Sequence, residues 1–299
     1  MGPFFYLRFM GHSHSHNHAE TGNIKVAFFL NLGFTIIEIV GGFFTNSVAI
    51  LSDALHDMGD TLSLGMSWYF QRLAGRDHDH KYSYGYHRFS VLGALINGFV
   101  LLAGSIYIVA ESIPRFIHPE ATNKEGMMGL AILGILVNGM AALRLRKGSS
   151  LNEQVVSLHL LEDVLGWVGI LIGSILMKFY DWPWLDPLMS LGLAVFILSN
   201  VYKNLKQVFQ VILQGTPKDV NMVKLEAYLN GLPGVQGFHD LHVWSMDGEF
   251  NILSVHLVRP SGDDAAFKQA VRAGLSDLHV HHATLELEAP GENCEFYSA

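Results

Sequence analysis

Residues 49–68 read AILSDALHDMGDTLSLGMSW, and residues 155–173 read VVSLHLLEDVLGWVGILIG. Each stretch reads as membrane-spanning helix, and each carries a His-x-x-x-Asp motif: His56 with Asp60, and His159 with Asp163. On a helix, residues four apart lie on one face, one above the other. Each motif therefore offers an imidazole nitrogen and a carboxylate oxygen to one point. Two such faces brought together supply four ligands, the number that a tetrahedral Zn²⁺ takes. Ionisable groups in hydrocarbon are costly, and by default they face a cavity and serve a function. Polar helix packing is the structural alternative, but the same spacing repeated in two separate spans argues against it.

Composition agrees with a bilayer as solvent. Half of the 299 residues are hydrophobic and 15% are charged, against roughly 25% charged in an average soluble domain. The net charge of -8 gives no support to nucleic-acid binding. Cys294 is the only cysteine, so an intrachain disulfide is excluded. The opening MGPFFYLRFM lacks the long apolar core and small-residue cleavage site of a signal peptide, and the polar GHSHSHNH follows at once.

Outward from the two motifs, six spans are expected at about 24–44, 48–70, 89–112, 126–146, 155–177 and 184–204. The first connection, Thr45-Asn46-Ser47, is so short that spans one and two must form an antiparallel hairpin. Lys and Arg set the orientation. Arg72, Arg76, Lys81, Arg88, Arg144, Arg146, Lys147, Lys203 and Lys206 fall on one side, against Arg115, Lys124 and Lys178 on the other. Both termini are therefore expected in the cytoplasm. Within the spans, Asn31, Glu38, Asn97 and Asn138 read as bonds between helices. Glu111 sits near a helix end, within reach of water. Asp53 and Asp57 lie near the face of His56 and Asp60, and either would hydrogen-bond a ligand or line a water-filled vestibule.

After about residue 206 the composition becomes that of a soluble domain. Helical spacing over 220–232 ends at Pro233-Gly234. Residues 238–244 alternate like a strand, Met246 to Glu249 signal a hairpin turn, and 252–258 read as a second strand. A helix over 265–278 and a strand over 283–287 complete an α-β-β-α-β sandwich with its helices on one face of the sheet. The expected architecture is a membrane all-α six-helix transmembrane bundle plus a C-terminal α+β (α-β-β-α-β) cytosolic domain. Its parts are a His-rich cytoplasmic tail over 1–22, the membrane domain over 23–205 and the cytosolic domain over 206–299.

With these features in place the chain resembles the cation diffusion facilitator family, over nearly its whole length. The likeness is carried by SVAILSDALHDMGD at 47–60, YSYGYHRFSVLGALING at 82–98, HLLED at 159–163, Asp186-Pro187 and GFHDLHVW at 237–244. The resemblance implies a homodimeric exporter that exchanges Zn²⁺ for protons, with His56, Asp60, His159 and Asp163 as the transport site. His56 points to the zinc branch, since manganese- and iron-handling relatives tend to have Asp there. The family also binds zinc between two tail domains, and the matching positions are His239, His256, His281, Glu286 and Glu288. Glu286 and Glu288 alternate on one strand and so point the same way. His239, His256, His281 and Glu288 are the favoured set. A loop site in the family uses an Asp and two His, where this chain has Tyr82 and Tyr86; Asp77, His78, Asp79 and His80 are the substitute candidates. His12, His14, His16 and His18 form a tract that would hold zinc loosely near the cytoplasmic mouth.

Three rival classes remain in view. A membrane metalloenzyme would need more histidines within the spans than the two present. A passive channel needs weak binding, which a charge-balanced four-ligand site does not give. A metal sensor would not need ligands in two spans. The expected activity is proton-coupled efflux of Zn²⁺, with Cd²⁺, Co²⁺ or Ni²⁺ as alternative cargo because affinity alone separates these ions weakly. The loop between spans four and five lacks the long His-rich insertion common in eukaryotic relatives, so the resemblance implies a bacterial inner membrane.

Overall fold

The computed structural model describes residues 18–74, 76, 78–145, 151–292 and 294. These described residues form two compact units, one drawn from those within 1–69 and 93–205 and the other from those within 70–92 and 206–299.

The first unit is helical. It holds all or most of α1 (His18–Thr45), α2 (Val48–Ala74), α3 (Arg88–Ile117), α4 (Lys124–Leu145), α5 (Leu151–Tyr180) and α6 (Leu185–Ile212). Five of them hold a stretch long and apolar enough to cross a membrane: Phe28–Thr45, Arg88–Ile117, Lys124–Arg144, Ser157–Tyr180 and Leu185–Ile212. The other, α2, has 27 residues and carries Asp53, Asp57 and Asp60 within them. Several helices run past the apolar spans expected from sequence, α6 reaching Ile212 against an expected end near 204. Many side chains on their outer faces are large, apolar and exposed, among them Phe44, Leu165, Phe179 and Val195. Such surface suits lipid rather than water.

The α1–α2 hairpin turns on Asn46, whose φ of 53° is one that Asn tolerates better than most residues. Arg115 of α3 pins this turn, donating to the Asn46 side-chain oxygen at 2.8 Å and to its backbone oxygen at 3.2 Å. Asp186, in the first turn of α6, takes hold of the start of α2. Its Oδ2 accepts the Val48 N–H at 2.9 Å and its Oδ1 accepts the Ser47 hydroxyl. A carboxylate at a helix N-terminus satisfies orphan N–H groups and faces the positive end of the helix dipole. Helices α4 and α5 meet where Trp167 is completely buried over Gly134. A Cβ at Gly134 would stand 2.4 Å from the indole, so only glycine permits this approach. Phe34 of α1 packs edge-on against the same ring, with centroids 5.6 Å apart.

The second unit holds α7 (Met222–Asn230), β1 (Gly237–Ser245), β2 (Asn251–Val258), α8 (Asp264–Ser276) and β3 (His282–Glu288). β2 is central, antiparallel to β1 and parallel to β3. Side chains alternate across the sheet. Leu253, Val255 and Leu257 of β2 therefore join Leu225 and Leu229 of α7 and Val271 and Leu275 of α8 in one buried cluster. Each fully buried leucine contributes about 1.5–3 kcal/mol. Asn221 and Asp263 cap the two helices by accepting the Lys224 and Ala266 N–H groups. The hairpin turn at 246–249 is as expected: Gly248 has a φ of 101°, and Asp247 Oδ1 accepts the Glu249 and Phe250 N–H groups. The other oxygen of Asp247 lies 3.1 Å from His87 Nδ1, and the His87 ring stacks on Phe250 at 4.9 Å. These contacts join the 70–92 segment to the sheet domain, a role that the sequence reading of the region as a loop did not foresee.

Candidate metal centres

In the helical unit the two motifs face each other across α2 and α5. Asp60 Oδ2 lies 3.1 Å from His159 Nε2 and 3.6 Å from His56 Nε2, while His159 Nε2 is 4.0 Å from Asp163 Oδ2. The two imidazoles meet edge to face with centroids 6.0 Å apart. All four expected side chains are thus gathered, two from each helix, by the four-residue spacing. Asp163 is enclosed, with its side chain 3% exposed, while His56, Asp60 and His159 are 24 to 35% exposed. Phe196 of α6 closes against His56 at 6.4 Å between ring centroids.

More carboxylates stand behind this group. Asp53 and Asp57 are buried, and Glu38 of α1 is completely so. A Cβ at Gly166 of α5 would stand 3.6 Å from Asp53 Oδ1, so that carboxylate lies in the α2–α5 seam. The burial of Asp53 and Asp57 differs from the vestibule exposure considered for them. Asn31 bonds across to α2, donating to Thr61 Oγ1 at 3.1 Å, and Asn97 donates to Ser63 Oγ. These are interhelical bonds of the kind expected. Glu111 pairs with Arg115 at 2.7 Å.

In the sheet domain a second group forms on the face opposite the helices. Cross-strand register places His239, His256 and Glu286 in one row, with Glu288 two residues on. The His256 Nδ1 is 2.7 Å from Glu288 Oε1, and His239 Nε2 is 3.2 Å from Glu288 Oε2. Cys294 brings its sulfur 3.5 Å from His256 Nδ1. One ligand atom from each of His239, His256, Glu288 and Cys294 lies within 4.8 Å of every other. Beside them, His256 Nε2 lies 3.3 Å from Glu286 and 3.5 Å from Asp240. Asp240 reaches this place through a bulge in β1, where its φ is 51°.

His281 stands elsewhere. Its Nδ1 accepts the Asn251 N–H at 3.1 Å and its ring stacks on Phe250. Seven residues of extended chain separate it from Glu288, about 23 Å. Within one chain the two do not share an ion. Cys294 was not among the residues chosen from sequence, because one cysteine without a partner carries no metal spacing; the signal available was Pro290-Gly291, which turns the chain back after β3.

The loop candidates divide. Asp77 lies outside the described residues, as do His12, His14 and His16, and nothing is described of the His18 side chain. Asp79 is committed to a turn: Oδ1 accepts the Lys81 and Tyr82 N–H groups and Oδ2 accepts the Tyr86 hydroxyl, each at 2.8 Å. The Tyr82 N–H, the Tyr86 hydroxyl and the Lys81 N–H hold its carboxyl below the usual carboxylate range. The same bond raises the Tyr86 phenol. His78 and His80 join no group of three ligand side chains among the described residues.

Comparison with known proteins extends over both units. The family described as cation efflux transmembrane domain matches residues 24–213, and the cation efflux protein cytoplasmic domain matches residues 217–288. A cadmium, cobalt and zinc/H(+)-K(+) antiporter of Bacillus subtilis (strain 168) is 35% identical over 93% of this chain and 93% of its own length. The metal cation efflux system protein CzcD of Cupriavidus metallidurans is 33% identical, over 95% of this chain and 92% of its own. The zinc transporter ZitB of Escherichia coli (strain K12) is 31% identical over 93% of each.

Proposed function

The chain belongs to the cation efflux family, and from that premise we propose that it is a proton-coupled antiporter that exports Zn²⁺ from the cytoplasm through His56, Asp60, His159 and Asp163. It is a multi-pass integral membrane protein and a transporter rather than an enzyme. The observation that carries the reading is the position of Asp60, one oxygen of which lies within 3.6 Å of both imidazoles. Two carboxylates balance the charge of a divalent ion, and two imidazoles supply the nitrogen donors that Zn²⁺ accepts and Mg²⁺ or Ca²⁺ does not favour.

The exchange follows from the ligands. An imidazole changes charge between about pH 5 and 8, and a metal binds only its neutral form. Without metal, protonated His56 and His159 pair with Asp60 and Asp163. Arriving Zn²⁺ displaces those protons. When the site opens to the other side, protons reclaim the imidazoles and the ion leaves. Asp60 and Asp163 neutralise the cargo, and the histidines carry the exchanged protons. The same donors would accept Cd²⁺ and Co²⁺, the ions named for the Bacillus relative.

The protein acts as a homodimer with both termini in the cytoplasm, in a bacterial inner membrane. The match to the family's cytoplasmic domain, the Lys and Arg bias of the loops and the bacterial relatives support this reading. The tail binds zinc through His239, His256 and Glu288, and the N-terminal histidines concentrate it. The experiment is zinc uptake into proteoliposomes under an imposed pH gradient, with Asp60→Ala and Asp163→Ala beside the wild type. Flux that follows the gradient and vanishes in both variants is expected. Flux indifferent to the gradient would make the protein a channel.

A further inference from the structure

We infer that Cys294 is a metal ligand, and that with His239, His256 and Glu288 it forms a site for a thiophilic divalent cation within a single subunit. The inference rests on the reading that the tail binds metal, and it changes the donor set, the geometry and the chemistry of that site.

Geometry comes first. Ligands about 2.0–2.3 Å from a tetrahedral zinc stand roughly 3.3–3.8 Å from one another. The pairs His239–Glu288 at 3.2 Å and Cys294–His256 at 3.5 Å lie near that range, while His256–Glu288 at 2.7 Å is a hydrogen-bond distance that an ion between the two would widen. The sulfur is delivered by the backbone rather than by chance. After β3, Pro290 and Gly291 make a tight turn: the Glu292 N–H donates to Ala289 O at 3.0 Å, and Gly291 has a φ of 84°. Pro followed by a glycine of positive φ is the signature of a type II turn. The Glu292 carboxylate secures it by accepting the Ala289 N–H at 2.7 Å. Three residues beyond Gly291, Cys294 holds its sulfur beside His256.

The surrounding groups suit a metal as well. Ligating histidines generally donate their other N–H to a carboxylate, which fixes the ring. With Nδ1 turned to the ion, His256 keeps Nε2 facing Glu286 and Asp240 at 3.3 and 3.5 Å. His256 and Glu288 are both buried, each less than one-tenth exposed. On binding, the thiol gives its proton to solvent and the thiolate takes the ion, so each ion bound releases that proton. A thiolate in the set favours Zn²⁺, Cd²⁺ and Co²⁺ over Mg²⁺ and Mn²⁺. Metal also ties the segment after β3 to the sheet, which gives the tail a means of registering cytoplasmic metal.

A cobalt titration of the full-length protein tests this directly. Cys294 is the only cysteine in the chain, so any thiolate-to-cobalt charge-transfer band in the near ultraviolet must come from it. The band is expected in the wild type and absent in Cys294→Ser. The serine variant should bind Cd²⁺ at the tail at least about tenfold more weakly, the lower limit seen even for loss of a ligand's supporting partner. A second measurement needs no variant. Zinc at about ten times its dissociation constant leaves roughly one site in eleven open, so reaction of the thiol with a disulfide reagent should slow about tenfold. Cobalt binding without the near-ultraviolet band, or a thiol equally reactive with and without zinc, overturns the inference. Zinc flux reports separately on the membrane site. Absent flux with the band intact would count against the transport reading alone, and intact flux without the band against this one alone.

Discussion

Asp60 on α2 lies closer to His159 of α5 than Asp163 of His159's own motif does, at 3.1 Å against 4.0 Å. The two motifs are therefore interleaved: the carboxylate of one serves the imidazole of the other. Asp60→Asn keeps the shape of the side chain and removes the charge that both histidines face. Apparent zinc affinity should fall by about a hundredfold, the upper end of losses for a group that supports a ligand. Zinc flux into proteoliposomes against zinc concentration measures it, and an unchanged half-saturation would remove Asp60 from the site.

Proton coupling should reside in the imidazoles. In His56→Ala combined with His159→Ala, the carboxylates remain to attract a cation, but the nitrogen donors that would exchange a proton for the ion are gone. Any residual zinc flux should no longer follow the proton gradient. Coupled transport retained in that double variant would refute the division of labour between histidines and aspartates.

Asp186 should matter for stability without touching the cargo. It accepts the Val48 N–H and the Ser47 hydroxyl at the buried start of α2. Asp186→Ala strands those donors, at a cost of about 1–3 kcal/mol. Asp186→Asn, which keeps one acceptor oxygen, should lose less. Thermal unfolding in detergent ranks the three proteins, and equal midpoints would show that water satisfies the turn.

At the α4–α5 seam, Gly134→Ala places a methyl group against the Trp167 indole, which is fully buried and has nowhere to move. The expected destabilisation is about 1–3 kcal/mol. Adding Trp167→Leu should restore part of it by vacating the space. Failure of the second change to recover any stability would mean that the methyl clashes elsewhere.

The 79–86 turn should loosen in acid. Asp79 is held below the usual carboxylate range in the folded loop by the Tyr82, Tyr86 and Lys81 donors. A depressed carboxylate contributes order that is present above its ordinary titration range and is lost as pH falls through the lowered value. Hydrogen exchange of the Lys81 and Tyr82 amides should be slow near neutrality and quicken in strong acid. In Asp79→Ala, which removes the acceptor oxygens, the exchange should be fast throughout and indifferent to pH beyond the intrinsic rate. Because this titration lies far below neutrality, the variant's zinc flux should keep the wild-type dependence on the proton gradient.

Several elements were legible before any coordinates. The spacing of His56 from Asp60 and of His159 from Asp163 already placed each pair on one helix face, because helical period is a local property. The alternation at 238–244 and the turn at 246–249 marked β1 and its hairpin for the same reason. The second helix was legible as a helix, though Asp53, Asp57 and Asp60 set its composition apart from the other five. Less visible were partnerships between distant positions. His281 belongs by sequence to a string of histidines, yet it holds the Asn251 amide at the far end of the sheet from Glu288. Asp79, which looked like a loop ligand, spends both oxygens on a turn.

Which residues could act is written in the order of the chain: two histidines and two aspartates at helical spacing inside apolar runs, and a strand row of histidine and glutamate in the tail. Which atoms meet depends on how the folded elements pack. That packing sets Asp60 against His159 rather than leaving each motif to itself, and it returns Cys294 to His256 across 38 residues of chain. The physical reason is that periodicity fixes the direction of a side chain within its own element. The separation between side chains on different elements depends on how those elements pack, through contacts such as Gly134 under Trp167 and the turn at Pro290-Gly291, where backbone and bulk decide the approach to within an ångström or so.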